Sequence, residues 1–366
     1  MPPFLSVYFD LARFGAAMVV VLSHQWPLIF PNFPVAWPGH QAVIIFFVLS
    51  GYVISHVTRD RKTSISDYTL NRLARLWSVA LPALLIGAVG AWLIGTTPVP
   101  EPAPLAPDLV DNLFRTLVNV VFLGQVWHAN VAPPLNVPFW SLNYEAWYYA
   151  IFGAWALLRG QARLPATVLL ALAAGPAILL LMPAWLMGVA LHRLQPRLAL
   201  PETVAVPLFL GTGVLILLLL KFNLSYDFRV WLISHAPQFA DSIPWSVRFA
   251  GDWLLAVAVA AHFAAASQIG HSGGLLLRAA RPIRAAASYT LSIYLYHTPL
   301  AAILVALIGL HGWALVLGMV VSVVALARVT EHRRADLRAV LRRLARAARL
   351  GVSAAVPTDE AAAAGR

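Results

Sequence analysis

The sequence contains no cysteine, which excludes disulfides and thiolate metal sites and leaves the redox compartment unreadable. Charge is also scarce. Asp, Glu, Lys and Arg make up 11% of the 366 residues, against about 25% in a soluble domain. In their place, 60% of residues are hydrophobic and the mean hydropathy is +0.75, which excludes an ordinary soluble globule. No internal repeat is visible, which argues against a transporter built from inverted halves. The first apolar run lacks a basic leader and a small-residue cleavage site, so it reads as a membrane helix rather than a removable signal.

What is present is a series of apolar runs of about 20 residues, the length that crosses a bilayer. They fall near 7–30, 39–57, 73–95, 139–158, 164–181, 183–194, 203–221, 248–268, 286–308 and 311–330. The expectation is an all-α polytopic membrane bundle of about ten transmembrane helices. Pro183 marks a tight turn or half-helix between the fifth and sixth runs, and 113–127 is amphipathic enough to lie at the interface or re-enter. Residues 1–333 form the membrane domain. Residues 334–366 form a basic amphipathic helix on the inner leaflet, with a disordered tail from Pro357.

The formal charge of +11 does not point to nucleic acid, because the basic residues sit in short clusters between the apolar runs. With the N-terminus in the cytoplasm, Arg59, Arg61, Lys62, Arg72, Arg75, Arg159, Arg163, Arg193 and Arg197 fall inside. Arg278, Arg281, Arg284 and the tail from Arg328 to Arg349 do so too. Only Arg115, Lys221, Arg229 and Arg248 fall outside. This asymmetry predicts a multi-pass protein of the cytoplasmic (inner) membrane with both termini in the cytoplasm. Residues 96–112 carry Pro98, Pro100, Pro102, Pro104 and Pro107, an extended polyproline-like outer loop.

Polar groups inside apolar helices are costly and call for a reason. In the first run Asp10 precedes Arg13 by one turn and can pair with it. His24 follows Arg13 by three turns on the same face, about 16 Å along the axis. Arg72 and Arg75, at i and i+3, present two guanidinium forks suited to phosphate oxygens; plain topology signalling would place them there too. Glu145, after Trp140, Ser141 and Asn143, opens a strongly apolar helix, as a site carboxylate or as a helix-end charge. Ser288 to Pro299 contains Tyr294 and His297 on one face, and Pro299 should free backbone carbonyls. The histidines show no paired metal-ligand spacing, so no metal is implied.

Taken together these motifs resemble the acyltransferase-3 family of membrane O-acyltransferases. The resemblance rests on Asp10-Leu11-Ala12-Arg13 leading to His24, on Gly39 through Phe46-Phe47-Val48-Leu49-Ser50-Gly51-Tyr52, and on the Arg72/Arg75 pair. It continues in Trp140-Ser141-Leu142 with Glu145 and in Ser288 to Pro299. The resemblance implies transfer of an acyl group, usually acetyl, from acyl-CoA (acetyl-CoA as the donor co-substrate) to a hydroxyl. The acceptor would be a glycan, lipid-linked sugar or natural product, as in polysaccharide O-acetylation. His24 would act as general base and Glu145 would orient or modulate it. Arg13 would bind the donor arm or stabilise charge, and Arg72 and Arg75 would hold the phosphates. Asp10, Ser141, Asn143, Tyr294 and His297 would support them. Direct transfer and an acyl-histidine intermediate both fit. The alternative reading is a transporter or flippase of a sugar or lipid without acyl transfer. The implied partners are a carbohydrate or glycolipid acceptor and the lipid bilayer; nothing in the sequence speaks to oligomeric state.

Overall fold

The structure, a computed structural model, describes residues 1–59, 64–95, 108–270 and 274–355. The proline-rich loop around Pro98–Pro107, the basic residues Arg61 and Lys62, and the tail expected to be disordered from Pro357 lie outside them. The described residues form helices and connecting turns without a strand. In order these are α1 (Pro3–Ile29), α2 (Gly39–Arg59), α3 (Ile65–Ile94), α4 (Leu109–Val120), α5 (Trp140–Leu157) and α6 (Arg163–Ala174). There follow α7 (Pro176–Leu194), α8 (Glu202–Phe222), α9 (Leu224–His235), α10 (Pro237–Ser242) and α11 (Phe249–Ala266). The chain ends in α12 (Gly274–Arg278), α13 (Ala280–Ala287), α14 (Thr290–Ala306), α15 (Gly312–Val329) and α16 (Arg334–Ala355).

The all-α membrane bundle stands, with fewer qualifying spans among the described residues than the ten apolar runs. Among the described residues 7 helices are long and apolar enough to cross a membrane, or 8 if the pair α13–α14, bent by 46°, is one span. Two expected spans fail for physical reasons. The helix α6 has 12 residues and rises only about 18 Å, against about 30 Å of hydrocarbon. The helix α5 carries Ser141, Asn143 and Glu145 in its first two turns, which lowers its hydropathy. The expected break at Pro183 is also displaced. Pro183 lies inside α7, and the chain turns at Gly175, whose φ of 82° favours a residue without Cβ. The expected amphipathic segment at 113–127 is helical at Leu109–Val120, capped by Asp108, which accepts from the Asp111 N–H at 2.7 Å.

Lipid-facing and core-facing surfaces separate cleanly. Leu85, Trp92, Leu169 and Leu217 are each more than 60% exposed, as expected where hydrocarbon replaces water. The tightest contact joins α2 to α7. A Cβ at Gly51 would collide with the Trp185 carbonyl oxygen, and one at Gly188 with the Val48 carbonyl oxygen. These two glycines let the backbones touch, the small-residue packing that holds helices together where no hydrophobic effect drives them.

Pro299 produces the expected orphan carbonyl. It removes the N–H that would bond Leu295 four residues earlier, and the Asn136 side-chain amide donates to that carbonyl at 2.9 Å. The N-terminus of α14 is closed from a distant element. Glu331, just after α15, accepts from the Ser292 N–H at 3.0 Å and from its hydroxyl at 2.7 Å, a carboxylate on a positive helix end. The helix α16, in the segment expected to lie on the inner leaflet, docks on the start of α3, where Arg342 and Arg338 reach Asp67 at 2.5 and 3.8 Å. The start of α1, the start of α3, α13 and the α15–α16 elbow thus meet at one end of the bundle, its basic end.

Candidate active site

A cavity of about 550 Å³ opens at the basic end. Arg13, Arg75, Arg284 and Arg334 line it, together with Asp10, Glu145 and Glu331. Arg13 keeps its expected partner, with Asp10 at 3.8 Å, and Arg284 reaches the same carboxylate at 4.0 Å. Glu145 accepts from Ser50 at 2.6 Å and from the Tyr149 hydroxyl. Ser50 is itself held by the Trp185 indole at 3.2 Å, so the glycine contact between α2 and α7 positions Ser50 against Glu145. Arg72 stands behind this wall, its guanidinium 5.7 Å from the centre of the Tyr149 ring, and it does not line the cavity. An excess of arginine over carboxylate in a concave, partly apolar chamber is chemistry for a phosphorylated ligand.

A second cavity, of about 370 Å³, lies beyond the first. His24, His40, Gln41, Trp140, Asn223, Trp245 and Arg248 are among the residues that line it. Val43 and Tyr294 line both cavities and form the wall between them. The Tyr294 hydroxyl donates to the Pro138 carbonyl at 3.0 Å, and Ser141 lies 2.6 Å from the Tyr294 oxygen. The wall therefore joins α14 to the start of α5. His24 faces the second cavity with His297 beside it, ring centroids 5.4 Å apart.

The expected residues thus divide between two chambers. Asp10, Arg13, Arg75, Ser141, Glu145 and Tyr294 line the first; His24 and Tyr294 line the second. Glu145 was expected to orient His24; it faces the arginine chamber, where it accepts hydrogen bonds from Ser50 and Tyr149. Asn143 lines neither chamber; it donates to Asn119 of α4 at 2.8 Å. Ser50, Tyr149, Arg284, Glu331 and Arg334 were not among the expected site residues, nor was the pair of half-buried His40 and buried Asp252. Tyr149 was open to inference, because it follows Glu145 by one turn. The others come from elements remote in the chain.

The description "acyltransferase domain" fits residues 6–331 of the chain. Among curated proteins, an O-acetyl transferase of Shigella phage Sf6 is 29% identical over 155 residues, 40% of this chain and 44% of that protein. The acyltransferase MdmB of Streptomyces mycarofaciens is 29% identical over 119 residues, 32% of this chain and 28% of that one. The exopolysaccharide production protein ExoZ of Rhizobium meliloti is 28% identical over 134 residues, covering 35% and 37%. The chain matches less than half the length of each of these relatives. No solved structure matches it.

Proposed function

The chain belongs to the acyltransferase-3 family, and from that premise we propose that it is an inner-membrane O-acyltransferase moving an acetyl group from acetyl-CoA to a sugar hydroxyl. The observation that carries this reading is the pair of chambers meeting at Val43 and Tyr294, arginine-rich on one side and histidine-bearing on the other. The donor would enter from the basic, cytoplasmic end. Arg75, Arg284 and Arg334 would hold its phosphates, and Arg13, anchored by Asp10, would guide the arm toward the wall. The sugar would occupy the second chamber. The names of the phage O-acetyl transferase and the exopolysaccharide production protein favour a carbohydrate acceptor over other hydroxyl compounds.

The chemistry needs one base at the junction. His24 takes the proton of the acceptor hydroxyl, whose oxygen forms the new bond to the acyl carbon. The thioester C–S bond breaks, and the proton on His24 passes to the departing sulfur. Proton and electron pairs balance without a further reagent. The bundle supplies proximity by holding donor and acceptor on two sides of one thin wall.

Incubating the purified chain with radiolabelled acetyl-CoA and a methyl glycoside tests the reading. Label should appear in an ester of the sugar. Movement of the sugar across a vesicle membrane without covalent change would favour a transporter instead.

A further inference from the structure

A hydrogen-bonded pair that reaches the second chamber through His40 is left unused by the scheme above. Asp252 on α11 is fully buried, and its Oδ2 lies 2.8 Å from Nε2 of His40 at the start of α2. Its other oxygen is buried without a hydrogen-bond partner among the described residues. A carboxylate with no exposed surface inside an apolar helix is expensive to keep, and such groups are retained for function. The second member of the pair reaches the chamber, since His40 lines it alongside His24.

The local fold brings the two histidines together. A Cβ at Gly39 would sit 2.7 Å from the Ser23 Cβ, so only glycine lets α2 start against α1 at this point. His40 and His24 each follow a member of this contact in sequence. His40 is then fixed from two sides. Its ring stacks on Trp140 at 5.7 Å with planes 13° apart, and Trp140 stacks in turn on Trp245 at 5.0 Å. With Nε2–H donating to the carboxylate, Nδ1 carries the lone pair. No hydrogen bond to Nδ1 forms among the described residues. Gln41, Asn223 and Arg248 add polar groups to the same chamber.

We propose that His40, held by Asp252, is an acceptor-binding group: it accepts a hydrogen bond from a second hydroxyl of a polyhydroxylated acceptor and so selects which hydroxyl reaches His24. This rests on the sugar-acceptor reading and adds the group that sets its regiochemistry. His40 makes no bond to the acyl group. Its contribution is binding and choice of site, and one neutral hydrogen bond corresponds to about a tenfold change in acceptor KM.

The experiment uses the full chain in lipid nanodiscs, acetyl-CoA, and methyl glucopyranoside and methyl rhamnopyranoside as acceptors. His40→Phe keeps the ring on Trp140 and removes both nitrogens; His40→Asn keeps an amide near the position of Nδ1; Asp252→Asn removes the anchoring charge. The expected result for His40→Phe is an acceptor KM raised about tenfold, an unchanged donor KM, and a mixture of ester regioisomers where the parent chain makes one. His40→Asn should recover part of the acceptor affinity, and Asp252→Asn should mix the regioisomers as His40→Phe does. A purely structural pair would lower thermal stability and leave regiochemistry alone. An unchanged acceptor KM and a single regioisomer in folded His40→Phe, or in Asp252→Asn where that one fails to fold, overturns this proposal only. Failure of the parent chain to esterify either glycoside while binding acetyl-CoA overturns the sugar-acceptor reading and this proposal with it.

Discussion

The imidazole of His297 donates through Nδ1 to the Tyr294 carbonyl at 2.8 Å while its ring lies 5.4 Å, centre to centre, from that of His24. A carbonyl only accepts, so Nδ1 carries the proton and Nε2 the lone pair. That Nε2 is buried and accepts no hydrogen bond from the described residues. His297 is thereby fixed as a neutral acceptor next to the proposed base.

The first prediction follows from that tautomer. His297→Ala should lower kcat about tenfold, the worth of one hydrogen bond to a charged imidazolium. His297→Gln, whose amide oxygen could accept from the protonated His24 as Nε2 would during turnover, should recover most of the loss. Steady-state kinetics with both substrates varied checks this, and the donor KM should not move in either variant.

The two arginines at i and i+3 should separate. Arg75 lines the donor chamber, whereas Arg72 packs on Tyr149 behind it. Arg75→Ala should weaken acetyl-CoA binding by about 1.5–3 kcal/mol, roughly ten- to a hundredfold. Arg72→Ala should act mainly on stability and leave donor affinity within a fewfold of the parent. Calorimetric titration of acetyl-CoA distinguishes them, and equal losses would mean that Arg72 also reaches the ligand.

Much of this arrangement was legible in the sequence, because it is written within single helices. Asp10, Arg13 and His24 share a stripe of α1, and Pro299 announced a freed carbonyl that Asn136 proves to satisfy. What escaped was contact between remote elements. His40 and Asp252 are 212 residues apart, and no local period relates them. The contact of Glu145 with Ser50 was hidden for the same reason, since Ser50 lies 95 residues earlier on α2. The span count ran high because 139–158 and 164–181 each looked like a span, whereas α6 stops after 12 residues and polar residues open α5. Pro183 stays inside α7, while Gly175 turns the chain.

Packing between α2 and α7 should be intolerant of any added volume. Gly188→Val places atoms on the Val48 carbonyl oxygen and should destabilise by about 1–3 kcal/mol, the usual cost of overpacking. Gly211 has nothing within 4 Å of its would-be Cβ, so Gly211→Ala should be neutral or slightly stabilising. Thermal unfolding in detergent compares the two.

The absence of native cysteine makes topology directly measurable. In sealed, right-side-out vesicles an impermeant maleimide should label His128→Cys, in the exposed loop after α4. It should label Ala345→Cys on α16 only after the membrane is opened. Labelling of Ala345→Cys from outside would invert the assignment of the basic end to the cytoplasm.

The central claim, that His24 is the base at the meeting point of the two chambers, rests on a single exchange. His24→Gln keeps hydrogen bonding but cannot take up a proton. In the purified, folded variant the rate of acetyl transfer should fall by about 10²–10⁴-fold, while the affinity for acetyl-CoA stays within a fewfold of the parent chain. Transfer at the parental rate by His24→Gln would contradict the account.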